Sequence, residues 1–231
     1  MSDPPQPRPS GQPQNTRARE IVTAKRRNTD PDSLKALPKG FKGWHTRGYL
    51  PHRDEPGLTQ FVTFRLADSF PVSLRTKWES FFEIESDKLR RAALESFLDC
   101  GHGECWLRKS DIAELTENAL RHAHGKLYEL RSWVVMPNHV HVLFKVNATP
   151  MGTIVRSWKR YIAEIANGWL RRKGQFWQPE YWDTFMRDGA HEERARNYIE
   201  RNPVKARLVG DMRDWEWSSA RHRDEDGCLK I

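Results

Sequence analysis

"MPNHVHVLF", residues 136–144, sets two histidines two positions apart directly after the turn-forming pair Pro137-Asn138. Successive side chains of a β-strand point to opposite faces, so His139 and His141 share one face and Val140, Val142 and Phe144 the other. The valine face reads as core, and the histidine face as a surface built to hold something. Just upstream, "LYELRSWVV" (127–135) is a second strand-like run. The short "MPNH" connection makes the two an antiparallel hairpin.

Further strands and helices follow from the same periodicities. "TQFVTFRLAD" (59–68) alternates, sending Phe61, Thr63 and Arg65 one way and Val62, Phe64 and Leu66 the other. Residues 73–99 carry Leu74, Trp78, Phe81 and Phe82, then Leu89, Leu94 and Leu98, and predict one long helix or two with a break. "SDIAELTENALRHAH" (110–124) opens on the capping residue Ser110 with acidic residues in its first turn, a helix start. After Pro150, Ile154, Trp158, Tyr161, Ile162, Ile165 and Trp169 form an apolar helical stripe, with Tyr161 assigned to the core. "QFWQPEYWDTFMRD" reads as an aromatic loop with a short strand, Tyr181 within its cluster. "AHEERARNYIERN" (190–202) predicts a last helix stopped by Pro203, since proline lacks an N–H and restricts the residue before it. The order implies an α+β fold, an antiparallel sheet with helices packed on one face.

Composition bounds the rest. Of 231 residues, 39 are Lys or Arg and 31 Asp or Glu, a net charge of +8 that suits a polyanionic partner. No apolar run approaches the roughly 18 residues of a membrane span, and the N-terminus lacks a signal-peptide core. Three cysteines (Cys100, Cys105, Cys228) fit a reducing compartment, so the expected location is the cytoplasm, associated with the nucleoid. Residues 1–40 read as a basic, Pro/Gln-rich disordered tail, and 41–231 as one catalytic domain. "CGHGEC" (100–105) offers too few ligands for zinc and reads as a glycine turn, while "DWEWSSA" anchors the chain end through Trp215 and Trp217.

Two imidazoles at i, i+2 are a ready pair of divalent-metal ligands that leaves positions open for substrate. Imidazole suits Zn, Mn, Fe or Ni and oxygen donors favour Mg, so the residues alone leave the metal open.

"WVVMPNHVHVLF", "SWKRYIAEI", "FWQPEYWD" and "YIERNPVKARLV", in that order, resemble the single-tyrosine HUH transposases of the IS200 type, closest to the REP-associated branch. The resemblance implies a ferredoxin/RRM-like sandwich and a metal-dependent endonuclease and strand transferase acting on single-stranded DNA. It implies Mg²⁺ or Mn²⁺ on His139 and His141, with Asn202 as third ligand, and Tyr198 as the nucleophile that forms a 5′-phosphotyrosine. It also implies hairpin-forming repetitive palindromes as substrate, cut beside the stem. Independently, Tyr198 and Asn202 are i, i+4 on a helix and share a face. A phenol of pKa near ~10 is a poor nucleophile at neutral pH, so it needs a proton acceptor or an activated phosphate; no general base stands out. Lys159, Arg160, Arg187, Lys205 and Arg207 are candidate phosphate contacts. The competing class is a DNA-binding protein that recognises repeat hairpins without cutting. A small-substrate metallohydrolase ranks last, because no Asp or His follows the pair closely. Monomer and homodimer both remain open.

Overall fold

The computed structural model describes residues 20, 23–24, 37–46, 51–70, 84 and 87–231. Most of the expected tail and the 73–83 part of the expected long helix lie outside these residues. In chain order the elements are strands β1 (Gly43–Thr46), β2 (Pro51–Asp54) and β3 (Thr59–Arg65), then helices α1 (Asp87–Asp99) and α2 (Ser110–Arg121). The hairpin β4 (Tyr128–Val135) and β5 (His139–Val146), helix α3 (Met151–Trp169), strand β6 (Trp182–Phe185) and helix α4 (Gly189–Lys205) complete them.

The expected hairpin forms one side of a four-stranded sheet in the order β4-β5-β3-β6, with β5 and β3 central and every pairing antiparallel. The chain is therefore α+β, as its alternating and helical periods require. Val62, Phe64, Leu66, Val140, Val142 and Phe144 face one side, where they join Ile112 and Leu120 of α2 and Ile154, Trp158 and Ile162 of α3 in the main core. Tyr128 ties that layer together: its hydroxyl donates to the Leu120 carbonyl at 2.6 Å and accepts from Trp158 Nε1 at 3.0 Å. Tyr181 is buried in the same core, as its aromatic surroundings suggested.

The stripe of α3 is rotated relative to its sequence reading. Met151, Ile154, Val155, Trp158, Ile162 and Ala166 are buried, whereas Tyr161 is 51% and Trp169 52% exposed. At 3.6 residues per turn, Tyr161 lies about 85° from the centre of the buried set. Trp169 is the helix's last residue. Val155 and Ala166 join the main core, and the large aromatic at 161 is left on the flank.

The other sheet face carries α4. Ala195 and Ile199 pack on Phe61, Val134, Met136 and Leu143, so the last helix crosses the histidine side while α2 and α3 cover the valine side. Asp188 caps α4 by accepting from the His191 N–H at 2.7 Å. Contrary to the expectation, Pro203 does not stop the helix but sits buried inside its last turn. The helix ends one turn later: Leu208 N–H bonds the Pro203 carbonyl, Arg207 N–H bonds that of Val204, and Arg207 turns left-handed at φ 58°. That paired closure satisfies the terminal carbonyls, so the proline's missing donor falls where few helical bonds remain.

The C-terminal segment then returns along β4. Val135 N–H bonds the Trp217 carbonyl and Trp215 Nε1 bonds the Val135 carbonyl, both at 2.9 Å, the anchoring role read from "DWEWSSA". Buried Glu200 accepts from Ser219 Oγ and Arg223 Nε, both at 2.7 Å, fastening α4 to this segment. Among the described residues no helix is long and apolar enough to cross a membrane.

Candidate active site

The hairpin turn builds the site through its backbone first. The Asn138 carbonyl accepts from Leu66 N–H at 2.8 Å, and the Pro137 carbonyl from Leu107 N–H at 3.2 Å, so the turn is held from both sides. Asn138 Nδ2 donates to the His102 carbonyl at 3.0 Å, which leaves Asn138 Oδ1 facing His139 Nδ1 at 2.8 Å. An amide oxygen only accepts, so His139 carries its proton on Nδ1 and presents a bare lone pair on Nε2. The "CGHGEC" loop thus supports the histidine that follows the turn. Gly103 allows that loop to close, since a Cβ there would fall 2.7 Å from the Asp68 carbonyl oxygen.

His139 Nε2 lies 3.1 Å from His141 Nε2, and His141 Nδ1 lies 2.7 Å from Thr63 Oγ1. Thr63 faces His141 because β3 pairs with β5 in the register Thr63↔His141. Two bare lone pairs at that separation repel, so in the metal-free chain His141 Nε2 holds a proton and the Thr63 hydroxyl donates to Nδ1. The opposite tautomer, with Thr63 as acceptor, turns both Nε2 lone pairs toward one point. A second hydrogen bond to each ligating imidazole is the usual support of a metal-binding histidine.

Tyr198 of α4 stands over this pair, its ring centroid 5.6 Å from that of His141 and 6.0 Å from that of Phe61. Asn202, one turn on, is completely buried, and among the described residues both of its amide atoms lack a hydrogen-bond partner of standard geometry. An orphaned buried amide oxygen is costly unless something else binds it. Among the described residues no three His, Cys, Asp or Glu side chains cluster to hold a metal ion. A cation at the imidazoles would therefore draw on oxygen donors, and the Asn202 amide fits that need. β5 thus carries the two histidines and α4 carries Tyr198 and Asn202, with the Tyr198 ring beside His141.

The site is closed. His139 and His141 are 1% and 0% exposed. Beside Tyr198 lies α1, whose Leu94 and Phe97 pack with Phe70 and Trp182 in a small cluster of their own. Burial drives the Tyr198 pKa up, and the carboxylates of Glu95 and Asp99 on α1 add to the rise, with Asn202 pulling the other way. Burial also pushes the Asp99 carboxyl up, against the pull of Lys205, whose ammonium it binds at 2.9 Å. Glu95, Asp99, Thr63 and Asn138 went unnoticed in the sequence. Only the last had a visible signal, its place in the turn before the histidines.

Burial, with a smaller contribution from Lys205, lowers the His139 pKa to about 3. The unfolded chain takes up a proton near pH 6.5 that the folded chain refuses until about pH 3. This contribution to stability is complete above the ordinary histidine range and is lost as the pH falls through it. The metal-free protein is expected to lose up to about 1.4 kcal/mol per pH unit from this source between pH 6 and 4. Urea midpoints should show a flatter slope for His139→Gln; equal slopes would contradict the assignment.

The candidate phosphate contacts separate. Lys205 lies at the rim of the site, exposed and 5.4 Å from the centre of the Tyr198 ring. Lys159 donates to the Gln178 and Pro179 carbonyls at 2.6 and 2.9 Å, so it fastens a loop on the valine side. Arg160, Arg187 and Arg207 are exposed. Lys159→Ala should cost about 1–2 kcal/mol in urea unfolding, because charge-assisted bonds are lost. Arg160→Ala should stay within about 0.5 kcal/mol of the parent; equal losses would deny Lys159 this role.

Residues 105–202 match the family model described as "Transposase IS200 like", a span that includes both histidines and ends on Asn202. The REP-associated tyrosine transposase of Escherichia coli (strain K12) is 29% identical over 131 residues, 51% of this chain and 72% of that protein. A solved structure described as a REP-associated tyrosine transposase bound to a REP hairpin aligns with a TM-score of 0.48 and 18% identity, covering 74% of this chain and 81% of that one. Residues 105–202 are therefore similar to the IS200-like transposase family, and the chain is similar to REP-associated tyrosine transposases.

Proposed function

We propose that this protein nicks and rejoins single-stranded DNA beside hairpin-forming repeats, with Tyr198 as the nucleophile. The observation that carries the reading is the approach of Tyr198 to His141 on one sheet face, with the orphaned Asn202 amide one helical turn away. The family match and the similarity to a REP-associated transposase support the class of reaction and the hairpin substrate.

In the reaction, Tyr198 Oη forms a bond to phosphorus as the bond from phosphorus to the 3′ oxygen breaks. The phenol loses a proton and the departing 3′ oxygen gains one, so no proton is consumed overall. The product ester resembles the diester it replaces, which makes rejoining possible without an external energy source. Proton transfer from the phenol falls to the neighbouring carboxylates, Glu95 or Asp99. His139 Nε2, His141 Nε2 and Asn202 Oδ1 would hold Mg²⁺ or Mn²⁺, which when bound withdraws charge from a non-bridging phosphate oxygen. Asn138 fixes His139 in the tautomer that ligation needs, and the Thr63 hydroxyl would turn to accept from His141 Nδ1 when Nε2 ligates.

A second reading, a protein that binds repeat hairpins without cutting them, draws support from the closed site and the raised phenol pKa. The deciding experiment is incubation of the full chain with hairpin-bearing single-stranded DNA and Mg²⁺ or Mn²⁺, scored as a covalent adduct on a denaturing gel. Salt-sensitive binding with no adduct under either metal would select the second reading.

A further inference from the structure

We propose that Glu200 is a positioning residue for the nucleophile, fixing the rotation of α4 that turns Tyr198 and Asn202 toward the histidines. The inference rests on the nicking-and-joining reading and gives the C-terminal segment a part in it. At about 100° per residue, Asn202 lies roughly 40° round the helix from Tyr198, Ile199 about 100° and Glu200 about 200°. Ile199 is the buried ridge of α4, packed with Val134, Met136 and Leu143. Tyr198 and Glu200 therefore stand on opposite flanks of one ridge, the first beside His141 and the second against Ser132 of β4. Apolar contact holds a helix down but has no direction, so it resists rolling only weakly. A clamp on the far flank is what opposes the roll.

Glu200 has the properties of that clamp. It is 2% exposed, and its Oε1 accepts from Ser132 Oγ at 3.2 Å as well as from Ser219 Oγ and Arg223 Nε. Those partners are themselves held. Ser219 Oγ accepts from the Trp133 N–H at 3.1 Å, and Arg223 Nη1 and Nη2 donate to the Gly227 and Arg131 carbonyls at 2.9 and 2.8 Å. A register shift in β4 between Leu130 and Ser132 lets Leu130 and Trp133 join the main core while Ser132 meets α4. Bonds from a guanidinium and two hydroxyls to a buried carboxylate are strongly directional. A group at the outer radius of a helix, about 5–6 Å from its axis, moves about 1 Å when the helix rolls by about 10°. A misplacement of that size can cost about 100-fold in rate.

The test is single-turnover adduct formation by the full chain, with saturating hairpin-bearing single-stranded DNA and Mn²⁺. Glu200→Ala should react about 100-fold more slowly while its Kd for the DNA stays within about twofold. Glu200→Gln keeps an acceptor oxygen in place and should recover the rate to within about tenfold of the parent. Ser219→Ala removes one donor, keeps the ion pair and should slow the reaction about fivefold; it decides the matter if Glu200→Ala does not fold. A residue that only stabilises the fold predicts parental rates in every variant that circular dichroism shows to be folded. Such rates, within about threefold of the parent, or a loss confined to DNA affinity, overturn the inference.

A second measurement needs no cleavage. In protein labelled with 3-fluorotyrosine, the fluorine resonance missing from Tyr198→Phe belongs to Tyr198. Loss of the clamp should shift or broaden it, because rolling changes its place against the His141 and Phe61 rings. The resonance of Tyr161, exposed on α3, should stay where it is. An unchanged Tyr198 resonance overturns the inference. A parent that forms no adduct removes the nicking reading instead and leaves the resonance to decide on Glu200.

Discussion

Tyr198→Phe should abolish the covalent protein–DNA adduct while leaving DNA binding within about twofold. The substitution removes one oxygen and nothing else. Among the described residues that oxygen makes no hydrogen bond of standard geometry. The ring's packing against Phe61 and His141 is retained, and stability should change by less than about 1 kcal/mol. The measurement is the adduct assay, with the modified residue located by mass spectrometry. An adduct of undiminished yield in the variant would show that another residue attacks. Tyr161, more than half exposed on α3, and Tyr181, buried in the main core, then serve as the controls. Neither is near the histidine face, so Phe at either position should leave the adduct intact.

A graded series at the imidazoles has the second largest effect. His141→Ala should reduce Mn²⁺ affinity, measured by titration calorimetry, by more than 100-fold and eliminate the adduct. Asn138→Ala keeps both ligands but removes the amide oxygen that fixes the His139 tautomer. Loss of such a supporting bond typically costs about 10–100-fold in metal affinity. Thr63→Val should fall in the same range, since it deletes the hydroxyl bonded to His141 Nδ1. The order of the series distinguishes ligand from support. Asn138→Ala as damaging as His141→Ala would mean that the turn has collapsed, which the urea midpoint would reveal. No effect of either supporting variant would mean that the imidazoles do not ligate through Nε2.

The histidine pair illustrates how far local pattern reaches. That His139 and His141 share a face, that Val62, Phe64 and Leu66 turn toward the core, and that 151–169 is a helix all follow from periods of 2 and 3.6. These periods are properties of the backbone, and no distant residue is needed to read them. The same holds for the spacing of Tyr198 and Asn202 on one helix face. The tyrosine's assignment as nucleophile came from a resemblance, and it remains a matter for the adduct assay.

Contacts between elements distant in the chain depend instead on register and crossing, which no local period encodes. The β3–β5 register gives His141 its threonine and sets Arg65 beside His139. The passage of α4 across the histidine side brings Lys205 beside the Tyr198 ring, where it pairs with Asp99 while staying exposed. The same packing lets the helix run past Pro203, because burial and the terminal bonds from Arg207 and Leu208 outweigh one missing donor. Sequence by itself therefore determined which residues could meet on each strand and helix face. Tertiary structure alone decided which of those faces meet one another, because the free energy of burial depends on the partner surface and not on the segment that carries it.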